Sequence, residues 1–156
     1  MAKYLRDVLE SDFETFFEHQ QDEGANYMAA FTSPDPSNKE AFFAHWKQLL
    51  SNTTVFNQTL VVDGKVAGNF VCFEMFEQRQ VGYWIGREFW GKGITSKALA
   101  EFLEQIPERP LYGRCVKDNF ASIRVLEKCG FKHIGEERAY ANARRAEVDE
   151  VILKLE

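Results

Sequence analysis

The stretch IGREFWGKGITSKALAEFL, residues 85–103, sets Gly86, Gly91 and Gly93 just ahead of helix-favouring sequence. Two glycines leave little side-chain bulk over residues 90–95, so several backbone N–H groups can converge where the helix starts. Those groups are unpaired donors at the positive end of a helix dipole, which suits a diphosphate without requiring a basic protein. Lys92 and Lys97 add local positive charge. Two other phosphate loops fit the stretch poorly. GREFWGKG approaches G-x-x-x-x-G-K-[ST], but Gly93 stands where a magnesium-binding hydroxyl belongs. GKGITS lacks the third glycine of G-x-G-x-x-G. The plain alternative is a strand-to-helix turn whose glycines only relieve steric strain.

Other reactive side chains give weaker signals. His19, His45 and His133 lie far apart without the i, i+4 spacing of a helical metal site. Cys72, Cys115 and Cys129 form an odd set with no CxxC pair, so neither a disulfide framework nor a zinc site is predicted, and a reducing, cytoplasmic setting fits. Packing is the expected role of Cys115. No metal is expected. Glu74, Glu136 and Glu137 are the carboxylates placed to take a proton from a substrate, although each also reads as a solvated surface residue. Arg138, Arg144 and Arg145 could steer an acidic ligand or simply solvate a hairpin tip.

The elements that must position these residues can be read from periodicity. At 156 residues and 45 % hydrophobic content, 14 % of the chain being aromatic, one domain with a sizeable core is expected. Ser11–Glu14 and Ser37–Glu40 read S-x-x-E before aromatic residues at helical spacing, predicting two helix starts. Asp63-Gly64 predicts a tight hairpin turn. The runs VAGNFVCFEMF and VGYWIG, joined at EQRQ, complete a three-stranded antiparallel meander. After the glycine turn come a helix that ends before Pro107, the strand LYGRCV, a helix with Asn119 as N-cap and Gly130 at its end, and the last strand VDEVILKLE. The formal net charge of -5 argues against a phosphate-backbone binder, and nothing approaches the roughly 18 apolar residues of a membrane span. No signal core opens the chain, so a soluble protein without nucleic-acid or membrane partners is expected.

VGYWIGREFWGKGITSKAL followed by NFASIRVLEKCGF resembles the GNAT superfamily of N-acetyltransferases, most closely its RimJ/RimL-like branch of ribosomal-protein N-terminal acetyltransferases. The family pattern Q/R-x-x-G-x-G/A falls on Trp90 to Thr95, with Trp90 in place of Gln or Arg and Thr95 in place of Gly or Ala. Asn119, Ser122 and Gly130-Phe131 match its second block. The resemblance implies a single α+β domain over residues 1–156. Its sheet would be mixed, mostly antiparallel and twisted, with six to seven strands, about four flanking helices and splayed central strands. It implies acetyl-coenzyme A (acetyl-CoA) as cosubstrate and direct attack by a primary amine, either a peptide or protein N-terminus or a small molecule. The alternative is a catalytically weak coenzyme A sensor or scaffold of the same fold. The implied cofactor contacts are Trp84, Ile85, Gly86, Trp90, Gly91, Lys92, Gly93, Ile94, Thr95, Asn119 and Ser122. In the implied catalytic roles, the Ile85 N–H stabilises the oxyanion, Ser122 protonates the leaving thiolate, and Glu74 is the candidate base. A homodimer is compatible, since dimers are frequent among relatives.

Overall fold

The computed structural model describes residues 2–156. Asp63 and Gly64, with φ of 49° and 80°, close the hairpin between strands β2 (Phe56–Val62) and β3 (Lys65–Met75) as their residue types predict. A second two-residue turn, Phe76-Glu77, with φ of 56° and 59°, leads into β4 (Gln78–Ile85). The meander therefore turns earlier than EQRQ. Gln78, Arg79 and Gln80 are strand residues, with Gln80 buried and Arg79 donating to the Thr54 carbonyl at 2.7 Å. Gln80 is satisfied across the turn itself, by the Met75 carbonyl and Gln78, whereas the Arg79 partners Thr54 and Glu108 are distant in sequence.

The chain opens in β1 (Lys3–Asp7), an edge strand antiparallel to β2 from Lys3↔Val62 to Asp7↔Gln58. A 3-10 turn, Glu10–Asp12, leads to α1 (Phe13–His19), followed by α2 (Glu23–Ala29) and α3 (Lys39–Ser51). Both helices start one residue later than predicted. Asp12 is the N-cap residue of α1, its buried carboxylate accepting from the Leu9 N–H and from both terminal nitrogens of Arg6. Asn38 caps α3 by accepting from the Ala41 N–H, while the Ser37 hydroxyl turns back to Asp35. Helix α2 is the element that periodicity misses, and it brings the α-helices among the described residues to five.

Beyond β4 follow α4 (Ile94–Glu104), β5 (Leu111–Val116), α5 (Phe120–Lys128), β6 (Lys132–Ala141) and β7 (Ala146–Leu155). All seven strands form one sheet in the order β1-β2-β3-β4-β5-β7-β6. Phe13, Phe16 and Trp46, from α1 and α3, pack on one face against Val66 and Val71. Leu99, Phe102 and Leu126, from α4 and α5, pack on the other with Phe70 and Leu111. Each such side chain, fully buried, contributes about 1.5–3 kcal/mol, which fixes the sheet between its two helical layers.

Pairing is uneven across the centre of the sheet. The β3–β4 ladder runs from Gly68↔Ile85 to Met75↔Gln78, and β5–β7 from Leu111↔Leu155 to Val116↔Glu150. Between them, β4 and β5 are parallel and register only at Gln80↔Tyr112. From there the two strands diverge, and the opening between them lies beside the glycine turn.

Candidate active site

The gap between β4 and β5 exposes backbone polar groups. The Gly86 N–H donates to the Ala67 carbonyl at 2.8 Å, so Gly86 faces β3. Alternation along an antiparallel strand then turns the N–H and C=O of Ile85 and Tyr83 the other way, into the gap, while those of Val81 face β5 beside the Gln80↔Tyr112 pairing. The Ile85 carbonyl is occupied there by the Trp90 indole N–H at 2.8 Å. The amides of Ile85 and Tyr83 have no neighbouring strand and can pair with an extended ligand, as a peptide pairs with a sheet edge.

A cavity of about 480 Å³ fills the gap. Tyr83 and Ser122 stand on the α5 side, where Tyr83 also packs on Phe70. Ala25, Met28 and Ala29 of α2 stand on the other side, where Gly82 and Trp84 lie in register with Val71 and Asn69. Helix α2 is tied down at three points. Asp22 and Arg87 pair at 2.8 Å. Asn119 donates through Nδ2 to the Met28 carbonyl at 3.2 Å, and Arg144 through Nε to the Tyr27 carbonyl at 2.6 Å. The Arg87 guanidinium also lies 4.4 Å from the centre of the Trp90 ring, joining the roof of the cavity to the glycine turn.

The glycine turn leads from β4 through a 3-10 turn, Arg87–Phe89, to α4. Gly91 and Gly93 have φ of 72° and 73°, a left-handed conformation that L side chains adopt at a cost, and an added Cβ at either would meet no protein atom within 4 Å. The consequence is a run of free donors. The N–H groups of Gly91 to Thr95 have no acceptor among the turn and cap hydrogen bonds of the described residues, and no side chain caps α4. Neither Lys92 nor Lys97 enters an ion pair among the described residues. The N-terminus of an 11-residue helix, open space and uncommitted lysines thus lie together at one end of an apolar slot, an arrangement that can accept an anion.

Two hydroxyls meet in the slot. Tyr83 Oη and Ser122 Oγ are 2.8 Å apart, and the Ser122 N–H donates to the Asn119 side chain at 3.2 Å. Burial pushes the Tyr83 phenol well above its usual range, against a smaller opposing effect of Ser122. Burial likewise pushes the Cys115 thiol up to about 12, with Glu150 adding to the shift and Ser122 opposing it. Both groups stay protonated at neutral pH. On β5, Arg114 bridges Glu137 at 3.0 Å and Glu150 at 3.1 Å, and burial raises the Glu150 carboxyl despite that pairing.

Of the residues singled out in the sequence, Trp84, Ile85, Trp90, Gly91, Thr95, Asn119 and Ser122 line the cavity. Lys92 and Gly93 lie exposed on the same turn, while the Ile94 side chain is in the core and Gly86 packs on His19. Glu74 does not reach the cavity. It is exposed and opposite Arg79, next to the β3–β4 turn and far along the strand from Ile85. Glu136 pairs with Lys117, and Glu137 with Arg114. Asp118 holds Arg144 at 2.8 Å, and Asp149 holds Arg138 at 3.1 Å, so these arginines have local partners. Tyr83, Arg114 and α2 escaped the sequence reading. Tyr83 looks like any aromatic strand residue, and only Asp22, which accepts the Ala25 N–H, marks the start of α2. Among the described residues, no cluster of three or more His, Cys, Asp or Glu could hold a metal ion. No helix among them is long and apolar enough to cross a membrane.

Comparison with known proteins places this geometry. The family model described as an acetyltransferase (GNAT) domain matches residues 4–132. No curated protein sequence matches the chain. Among solved structures, RimL, a ribosomal alpha-N-protein acetyltransferase in complex with coenzyme A, superposes with a TM-score of 0.84 at 18% identity, over 99% of this chain and 94% of its own. A ribosomal-protein alanine acetyltransferase from Vibrio fischeri gives 0.80 at 20% identity, over 99% and 93%. Spermidine N-acetyltransferase from Vibrio cholerae, in complex with coenzyme A and spermine, gives 0.81 at 14% identity, over 98% and 94%.

Proposed function

Because the chain belongs to the GNAT acetyltransferase family, we propose that it transfers an acetyl group from acetyl-CoA directly to the nitrogen of a primary amine. The observation that carries this reading is the uncapped start of α4, five consecutive free N–H donors from Gly91 to Thr95 at the mouth of a slot between diverging strands. A diphosphate seated on those donors would direct its pantetheine arm along β4, where the N–H groups of Ile85 and Tyr83 face the gap. The thioester oxygen would then fall among the same amides. Donation to it from the Ile85 N–H, as charge develops, would contribute about 3 kcal/mol, roughly a hundredfold in rate.

The acceptor would approach from the α2 side, past Trp84, and must arrive as the neutral amine. An α-amino group, with a pKa near 8, loses its proton more readily than a lysine near 10.4, so an N-terminal acceptor makes the smallest demand for a base. As its nitrogen bonds to the carbonyl carbon the C–S bond breaks, and the electron pair goes to sulfur. Ser122, which lines the cavity, would supply a hydrogen there. A second reading, a coenzyme A binder without turnover, is favoured by one observation: no Asp or Glu lines the cavity.

Thiol release from acetyl-CoA separates the two readings. The acceptor panel would hold a peptide with a free N-terminal alanine, spermine, and a lysine peptide blocked at its N-terminus. Acceptor-dependent thiol release supports transfer, with the alanine peptide preferred over the lysine peptide. Coenzyme A binding by calorimetry with no release above buffer for any acceptor supports the second reading, and the absence of binding overturns both.

A further inference from the structure

The cavity contains a hydroxyl pair whose second member has no role in the reaction described above. Tyr83 comes from the strand beside the gap and Ser122 from the first turn of α5, so two elements 39 residues apart in sequence converge on one hydrogen bond. The serine is fixed from both ends. Its N–H is held by the N-cap Asn119, and its oxygen lies 2.8 Å from the phenol. The tyrosine is fixed as firmly, with its ring 5.7 Å from that of Phe70.

Resting on the acetyl-transfer reading, we infer that Tyr83 is a positioning residue whose phenol donates to Ser122 Oγ and thereby aims the serine's own hydrogen at the thioester sulfur in the gap. A hydroxyl has one hydrogen and two lone pairs, so a pair of them can be ordered in two ways. The phenol is the more acidic of the two and the better donor, and it has no other partner among the described side-chain hydrogen bonds. With the phenol donating, the serine's hydrogen is free to turn into the cavity. The neighbouring Cys115 remains a neutral thiol at ordinary pH and offers no anion to draw that hydrogen away. Without the phenol, Ser122 Oγ would rotate among its staggered positions, and only some of them face the gap. The overall step balances. Nitrogen gains the acyl carbon and loses a proton, and sulfur gains the C–S electron pair and a proton, leaving the amide and the free thiol.

The test uses hydroxylamine as acceptor, a small amine largely neutral at pH 7 that makes no demand for a base, with acetohydroxamate as the measured product. Tyr83→Phe keeps the ring on Phe70 and removes only the hydroxyl. It is expected to lower kcat about tenfold, while KM for acetyl-CoA and the calorimetric Kd for coenzyme A stay within twofold. Ser122→Ala is expected to lose at least as much. The double variant should be no slower than Ser122→Ala, because the two hydroxyls act through one hydrogen. A Tyr83→Phe kcat within twofold of wild type overturns the inference, as does a double variant whose losses multiply. Equal losses of rate and coenzyme A affinity would make Tyr83 a packing residue and overturn it as well. Wild-type protein that binds coenzyme A but forms no hydroxamate above the uncatalysed rate instead refutes the transfer reading on which the inference rests.

Discussion

Gly93→Glu tests the anion seat directly. The position has φ of 73° with no protein atom within 4 Å of an added Cβ, so a side chain there would strain the backbone without colliding with the protein. An L residue in the left-handed region costs about 1–2 kcal/mol. In a domain of this size that lowers Tm by roughly 2–8 °C, at about 2–4 °C for each kcal/mol. The fold should survive. The added carboxylate would project into the space over the free N–H groups of Gly91 to Thr95, where a phosphate would sit. Two like charges about 4 Å apart in surroundings of effective dielectric near 20 repel by about 4 kcal/mol, or close to a thousandfold in Kd at about 1.4 kcal/mol per decade. Gly93→Gln carries the same strain and nearly the same bulk without the charge, so the ratio of the two affinities isolates the electrostatic part. Calorimetry with coenzyme A at low salt is expected to show Glu weaker than Gln by two to three decades, the gap narrowing as salt is added. If both variants melt cooperatively and bind coenzyme A within threefold of one another, the diphosphate does not sit on this turn.

Other consequences concern the base, the core and acid stability. Glu74→Gln, on the exposed end of the β3–β4 hairpin, should leave thiol release within twofold of wild type in the acceptor assay. Asp12→Ala would strand Arg6 and the fully buried Thr59, whose hydroxyl donates to the same carboxylate at 2.7 Å. Urea denaturation should report a loss of about 3–5 kcal/mol. The Arg87 guanidinium holds Asp22 down to about 2 from an ordinary 3.8, with burial opposing and the Ala25 N–H assisting. Burial raises Asp12, but Arg6, the Leu9 N–H and Thr59 together outweigh it and leave its carboxyl below the ordinary value. Both groups are depressed in the folded state, so their stabilisation is present above about pH 4 and fades as pH falls through 3.8 towards 2. Thermal melts across that window should lose Tm more gently in Asp22→Asn than in wild type.

Much of the molecule was legible in the residues because the deciding interactions are local. Asp63-Gly64 can adopt positive φ cheaply, so the hairpin follows from two letters. Asn119 accepts the N–H three residues on, and Gly130, with φ of 94°, ends α5 where a glycine is wanted. Gly91 and Gly93 precede an amphipathic helix, and the turn with positive φ that they form ahead of it follows from their residue type. Where local signals compete, the sequence misplaces by a residue or two. The Ser37 hydroxyl turns to Asp35 and leaves the cap of α3 to Asn38, while Asp12, at the start of α1, spends its carboxylate on Arg6, Leu9 and Thr59 rather than on the helix.

The site itself was settled by contacts between residues remote in sequence. Strands β4 and β5 pair only at Gln80↔Tyr112 and part beyond it, and no pattern within GYWIG or LYGRCV carries that information. Helix α2 is short, with 7 residues, and is stabilised chiefly by Arg87, Asn119 and Arg144 rather than by its own periodicity. Periodicity reports which face of an element is buried, whereas the meeting of Tyr83 with Ser122 depends on how two elements cross. The sequence by itself determined the donors and their turn; tertiary packing alone decided that a slot would open beside them, because strand divergence is a property of neighbours.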